Sequence, residues 1–284
     1  MRKVLIAALT TCGIAIALPA MAAPRATVAD GTLPITIDGT GYQLAARVYR
    51  PAGSGPFPLV VINHGTPPDK SKFPGVELGF VRAAAWFVDH GYMVVTALRP
   101  GFGTSSGSYL EAAGRCQDEN YVAAGEKTAA VERAIVTAAA TLPGADPARI
   151  VVVGQSAGGF GAVALADAPP PGVVGVISFA GGRGGDGKEH ICGSEDRLIA
   201  AEGHFGAGNR VPQVWLYAAN DHFFRRDLAH RMYAAYAGAS TPPVTFVGLP
   251  SFGDDGHKTF AKADPSVWER PVSAFLKRVV PAAR

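Results

Sequence analysis

The 284 residues are 48% hydrophobic and 17% charged, with a formal net charge of +3 at pH 7. That is enough apolar material for a sizeable core within one large α/β domain. A charge so near zero gives no electrostatic reason to expect nucleic acid or an acidic membrane surface as a partner.

The chain opens with Met1-Arg2-Lys3, continues in an apolar run from Val4 to Leu18 weakened by Thr10 and Thr11, and reaches the small-residue pattern Ala20-Met21-Ala22. A basic start, an apolar middle and a small-residue end describe a secretory signal peptide over residues 1–22, followed by one mature domain over 23–284. The run is short for a membrane span, and no other apolar stretch approaches ~20 residues. A lipid anchor at Cys12 is disfavoured by the Thr10-Thr11 approach. Cleavage removes Arg2 and Lys3 and no acid, which brings the charge closer still to zero. It also removes Cys12 and leaves Cys116 and Cys192. Two cysteines in a periplasmic or extracellular compartment suggest one disulfide in preference to two buried thiols.

In the mature chain "LPITID" and "YQLAARVYRP" around Asp38-Gly39 predict an opening hairpin. From there strands and helices alternate. "FPLVVINHG" is a buried strand, "LGFVRAAAWFVDHG" a helix stopped at Gly91, and "YMVVTALRPGFG" a second buried strand. A long alanine-rich helix is predicted from Asn120 to Leu142. The strand "ARIVVVGQ" then runs into a helix opening at Ser156-Ala157. "GVVGVISFAGG", "VPQVWLYAAND" and "PPVTFVGLP" are the remaining strands, with helices over about Phe224–Tyr236 and Pro265–Val280. The glycine-rich and charged segment from Gly181 to Arg210, with one helix at "SEDRLIAAEG", does not fit this alternation and reads as an excursion over one end of the sheet. Alternating strands and helices imply right-handed crossovers, a mostly parallel central sheet and helices on both faces.

In such sheets functional groups gather at the carboxyl ends of the strands. Four ends carry unusual side chains: His64-Gly65-Thr66, Gly154-Gln155-Ser156-Ala157-Gly158, Asp221-His222, and the loop holding His257. By itself Ser156 could be a helix N-cap or a nucleophile. A phosphate-binding loop is excluded, since "GQSAGGFG" matches neither glycine-rich phosphate pattern. The order Ser156, Asp221, His257 is that of nucleophile, acid and base in a fold with Gly-x-Ser-x-Gly between strand and helix. A serine hydroxyl needs a base to take its proton, an imidazole titrates near the working pH, and a carboxylate fixes its tautomer. The Ala157 N–H is one candidate oxyanion donor and Thr66 the other, because Pro67 and Pro68 have no N–H to offer. Asp186 is the alternative acid. Asp254 and Asp255 flank His257 but stand badly to orient its far nitrogen. His64 and His222 are candidate pocket residues, and Arg99 is expected in a structural pair with a carboxylate. His90 and His230 need no catalytic role. His190 and His204, even with Cys192, match no zinc spacing, so no metal is expected.

These motifs resemble those of the α/β-hydrolase superfamily, in the style of its dienelactone hydrolase and prolyl-oligopeptidase-like branch. The matching stretches are "NHG", "RPGFGTSSG", "GQSAGG", "ND" and "DGH", each after a strand, and they span nearly all of the mature chain. The resemblance implies the α/β-hydrolase fold and a serine hydrolase without cofactor, acting on a small-molecule ester or short acyl substrate. The best-known dienelactone hydrolases use a cysteine nucleophile, whereas Ser156 points to serine-esterase chemistry. A peptidase acting on short peptides and a silent ligand-binding member are the alternatives.

Overall fold

The computed structural model describes residues 26–281, so the expected leader and Cys12 lie outside the described residues. Eight strands form one sheet: β1 (Thr27–Ile37), β2 (Thr40–Arg50), β3 (Phe57–Asn63), β4 (Met93–Ala97), β5 (Ala145–Gln155), β6 (Val173–Phe179), β7 (Gln213–Ala218) and β8 (Val244–Leu249). Their spatial order is β1-β2-β4-β3-β5-β6-β7-β8. β1 and β2 form an antiparallel hairpin, and its two turn residues, Asp38 and Gly39, both have positive φ (47° and 77°). A two-residue turn of that hand matches the right-handed twist of the strands. β2 is antiparallel to β4, and every pairing beyond it is parallel.

The central strands are continuous Val/Ile runs because both faces of the sheet are covered. α2 (Tyr121–Ala140), α3 (Ala157–Leu165), α4 (Glu195–Gly208) and α5 (Arg226–Ala239) contribute to the core on one face. α1 (Val81–Asp89), α6 (Thr259–Lys262) and α7 (Glu269–Val279) contribute to the other. All nine residues of α3 are buried.

Three elements differ from the sequence reading. β1 starts six residues before "LPITID", where exposed Thr27–Thr32 pairs with Ala45–Arg50 and Asp30 meets Arg47 across the ladder. Pairing, not burial, makes that half a strand. The closing helix starts only at Glu269, because Trp268 (φ −129°) breaks the helical path to bury its indole against Trp86, Phe179 and Phe260. The short helix α6 was not foreseen. The excursion from Gly181 to Arg210 contains α4, capped by Ser194, whose Oγ accepts from the Arg197 N–H at 3.4 Å.

Candidate active site

β5 ends at Gln155 and α3 begins at Ala157, so Ser156 alone makes the turn, at φ 56° and ψ −125°. A non-glycine residue there carries backbone strain that the surroundings must hold in place. The Ser156 N–H donates to Phe179 O at 3.0 Å, and its carbonyl accepts from Phe160 at 2.9 Å and Gly182 at 3.1 Å. Its hydroxyl makes no cap hydrogen bond, which sets aside the N-cap reading. Close approach explains the flanking glycines. A Cβ on Gly158 would stand 2.5 Å from both Asn63 O and His64 O, and one on Gly154 would fall on Gly158 O. Gly159 and Gly161 serve helix packing in the same way, against Ser178 and Gly181 and against Thr128 and Glu132.

Asp221 follows β7 and is buried, at 2% exposure, while His257 follows β8 at 7%. Both Asp221 oxygens lie 3.1 Å from His257 Nδ1. Asp221 Oδ1 also accepts from the N–H groups of Phe223 at 2.8 Å and Phe224 at 2.9 Å, which holds the carboxylate in place. A carboxylate facing Nδ1 puts the imidazole proton there and leaves Nε2 free to accept one. The Phe223 ring stacks on the imidazole with centroids 4.1 Å apart. Asp255 serves the backbone: its Oδ1 accepts from the N–H groups of His257 at 3.0 Å and His222 at 3.3 Å. Asp186 turns to the Lys188 and His190 N–H groups and to the His190 ring.

Two clefts meet at Ser156. They share Thr66, Pro67, Pro68, Ser156 and Phe223, which form the ridge between them. The larger in the extent of its lining adds Ala157, Tyr109, Glu119, Arg183 and the Gly182–Gly185 backbone. The smaller in lining adds His257, Val76, Phe80 and Ala261. Ala157 opens α3, where backbone N–H groups have no intrahelical acceptor and the helix dipole favours negative charge.

Behind Thr66 lies a buried ionic network. Arg99 is fully buried, and its Nε donates to Glu111 Oε1 at 2.6 Å. Its Nη1 donates to His64 O and its Nη2 to Thr66 Oγ1 at 3.2 Å. The Arg99 backbone N–H donates to His64 Nε2 at 3.0 Å, so His64 carries its proton on Nδ1, which donates to Gly65 O at 2.7 Å. Burial and the neighbouring Arg99 charge keep this imidazole neutral, well below the ordinary histidine range. His64, expected as a pocket residue, lines the smaller cleft, while the backbone engages both of its ring nitrogens. His222 lines neither cleft, and Phe223 takes the place expected for it.

Sequence reasoning also missed Arg183, which donates to Tyr109 Oη at 2.5 Å, Glu111 O at 2.9 Å and Glu119 Oε1 at 3.1 Å. Nothing in the spacing of these residues could have found it. Cys116 and Cys192 form a disulfide with Cα atoms 4.6 Å apart. It joins the segment holding Tyr109 and Glu119 to the excursion, and Cys192 itself lines the larger cleft. Among the described residues no cluster of three metal-ligating side chains occurs, and no helix is long and apolar enough to cross a membrane.

A serine on the turn after β5, in a sheet of this strand order, belongs to the α/β-hydrolases, and the chain is a hydrolase of the serine-hydrolase type. Residues 38–237 match the model of the X-Pro dipeptidyl-peptidase (S15) family, and the chain belongs to that family. Among curated proteins none matches the sequence significantly. In structure the chain is similar to an esterase from Pyrococcus furiosus, with TM-score 0.62, 15% identity, and 88% of this chain covering 90% of that one. It is similar to a protein from Klebsiella pneumoniae described as a dienelactone hydrolase, with TM-score 0.59, 17% identity, and 88% of this chain covering 99% of that one. It is also similar to a puromycin-hydrolyzing peptidase from Mycobacterium tuberculosis, with TM-score 0.62, 19% identity, and 89% of this chain covering 39% of that one.

Proposed function

We propose that the chain is an exported serine hydrolase that cleaves carboxylic esters through an acyl-enzyme. The observation that carries this reading is the pairing of His257 Nδ1 with Asp221 beside a serine held at positive φ. Ser156 Oγ attacks the ester carbonyl while His257 Nε2 takes its proton, and Asp221 steadies the imidazolium. The N–H groups of Ala157 and Thr66 hold the oxyanion, each such donor contributing about 3–4 kcal/mol to the transition state. Collapse expels the alkoxide, which His257 protonates. A water activated by the same imidazole then releases the acid and restores Ser156.

His257 lines the smaller cleft and Ala157 the larger. The leaving group, which needs the histidine proton, therefore belongs in the smaller cleft, and the acyl group in the larger. The two similar structures matched over almost their whole length carry ester- or lactone-hydrolase descriptions, which favours esters. The family match favours a second reading, cleavage of short Xaa-Pro peptides. A panel of p-nitrophenyl esters from acetyl to long-chain acyl, run beside Xaa-Pro and aminoacyl p-nitroanilides, separates the two. Turnover confined to the anilides overturns the ester reading, and activity surviving in Ser156→Ala overturns the mechanism. A fluorophosphonate probe that fails to label Ser156 in folded protein points to a silent ligand-binding member.

The disulfide supports export, with residues 1–22 as the leader and 23–284 as the mature domain. N-terminal sequencing of the exported protein should begin at Ala23, and an intact Met1 on it overturns that cleavage.

A further inference from the structure

Thr66 borders the candidate reacting centre. It lies on the ridge shared by both clefts, beside Ser156. The preceding residue is packed so tightly that a Cβ on Gly65 would be 3.0 Å from Ser156 Cβ and 3.5 Å from its Oγ. The Thr66 hydroxyl is also committed in one direction. Arg99 Nη2 donates to its oxygen at 3.2 Å, and a guanidinium only donates, so the hydroxyl proton must point elsewhere. No hydrogen bond among the described residues uses that proton. A threonine N–H and its Oγ are three bonds apart, close enough to converge on a single oxygen.

We propose that the Thr66 side chain is a catalytic residue, its hydroxyl donating a third hydrogen bond to the oxyanion beside the N–H groups of Thr66 and Ala157. This inference rests on the serine-hydrolase reading of the same site. An oxygen that already accepts from a buried cation is a stronger donor through its proton, because successive hydrogen bonds polarise one another. Arg99 owes its position to His64 O and the Glu111 carboxylate, not to Thr66. The hydroxyl oxygen is therefore held by a frame that exists without it, as preorganised transition-state stabilisation requires. Arg99 is a positioning residue here, since it acts only through Thr66.

Thr66→Val tests the idea, because it keeps shape and backbone N–H and removes only the hydroxyl. Arg99 Nη2 keeps a second acceptor in Glu111 Oε2 at 3.5 Å, so the substitution does not strip the guanidinium of partners. With a p-nitrophenyl ester, kcat is expected to fall about 100-fold, the loss typical of one oxyanion donor, with little change in KM. Affinity for a boronic acid, whose serine adduct is tetrahedral, should fall with kcat. Thr66→Ser should restore both. If Thr66→Val fails to fold, Thr66→Ala gives the same comparison. A valine or alanine variant with kcat within about threefold of wild type overturns the proposal, as does a serine variant as impaired as valine. A wild type that turns over neither esters nor anilides and takes no fluorophosphonate overturns the underlying reading too, which separates the two failures.

Discussion

Replacing both half-cystines with serine removes the bond between Cys116 and Cys192, which closes a loop of 76 residues. In the chain-entropy model a crosslink of that span stabilises the fold by about 4.5 kcal/mol at 25 °C. For a domain of this size each kcal/mol corresponds to roughly 2–4 °C in Tm, so the full effect is a drop of about 9–18 °C. The bridge is not alone in holding these loops. Arg197 Nη2 donates to Gln117 O at 2.7 Å and Tyr121 Oη to Cys192 O at 2.5 Å, so the segments stay in register in the folded state. Thermal melts of the Cys116→Ser/Cys192→Ser variant and of wild type with and without reductant read the stability. Because Cys192 lines the larger cleft and the bridge ties its segment to that of Cys116, the bridge should clamp that cleft, so KM for bulky acyl esters should rise on its removal while acetyl ester turnover changes little. A Tm within about 2 °C of wild type, or an equal loss for acetyl and bulky substrates, would refute the view of the bridge as a clamp on that cleft.

Three other substitutions probe the frame. Asp221→Asn can keep its oxygen on the Phe223 and Phe224 N–H groups, which turns its NH₂ towards His257 Nδ1 and forces the wrong tautomer. In kinetic assays kcat should fall about 10⁴-fold, and a loss under tenfold would mean that another carboxylate, Asp186 first, orients the histidine. Gly158→Ala sets a methyl against two backbone carbonyls and should cost about 3 kcal/mol in urea unfolding together with the activity; wild-type stability would deny the close approach. Glu132 is fully buried without a hydrogen-bond partner for either oxygen, and burial holds its carboxyl well above the ordinary 4.5. The folded state keeps a proton that the unfolded chain releases, so its contribution is complete below pH 4.5 and is lost as pH rises towards the raised value. Glu132→Gln should therefore gain on wild type with rising pH, by up to about 1.4 kcal/mol per pH unit across that window. A stability difference that is flat with pH excludes this.

Strand ends were legible because burial on both faces imposes unbroken Val/Ile runs, and the residues that interrupt them stand out. Ser156, Asp221 and His257 were picked out as candidates in this way, 101 residues apart from first to last, without any estimate of distance between them. The Arg99–carboxylate pair was foreseen in kind, but not Glu111 as its partner. Arg183 and Phe223 were illegible for a different reason. Arg183 reaches Glu111 O across 72 residues from a segment without periodicity, and Phe223 matters through its ring's stacking on His257. The backbone partners of His64 were not legible, because a histidine at a strand end looks the same whether its nitrogens face a pocket or the backbone. β1 ran long because cross-strand pairing can hold an exposed segment that shows no apolar alternation.

Helix α3, which carries the residue after Ser156, has no solvent-facing side. Its amides are shielded only when the sheet and the helices α2 and α4 beside it are all assembled. Hydrogen exchange at Phe160–Leu165 should then require global opening and be among the slowest in the protein. The candidate nucleophile, set directly before such a helix, has no partly folded state in which it is aligned. Fluorophosphonate labelling of Ser156 during denaturation would thus titrate the fully folded population and fall in step with the slowest-exchanging amides.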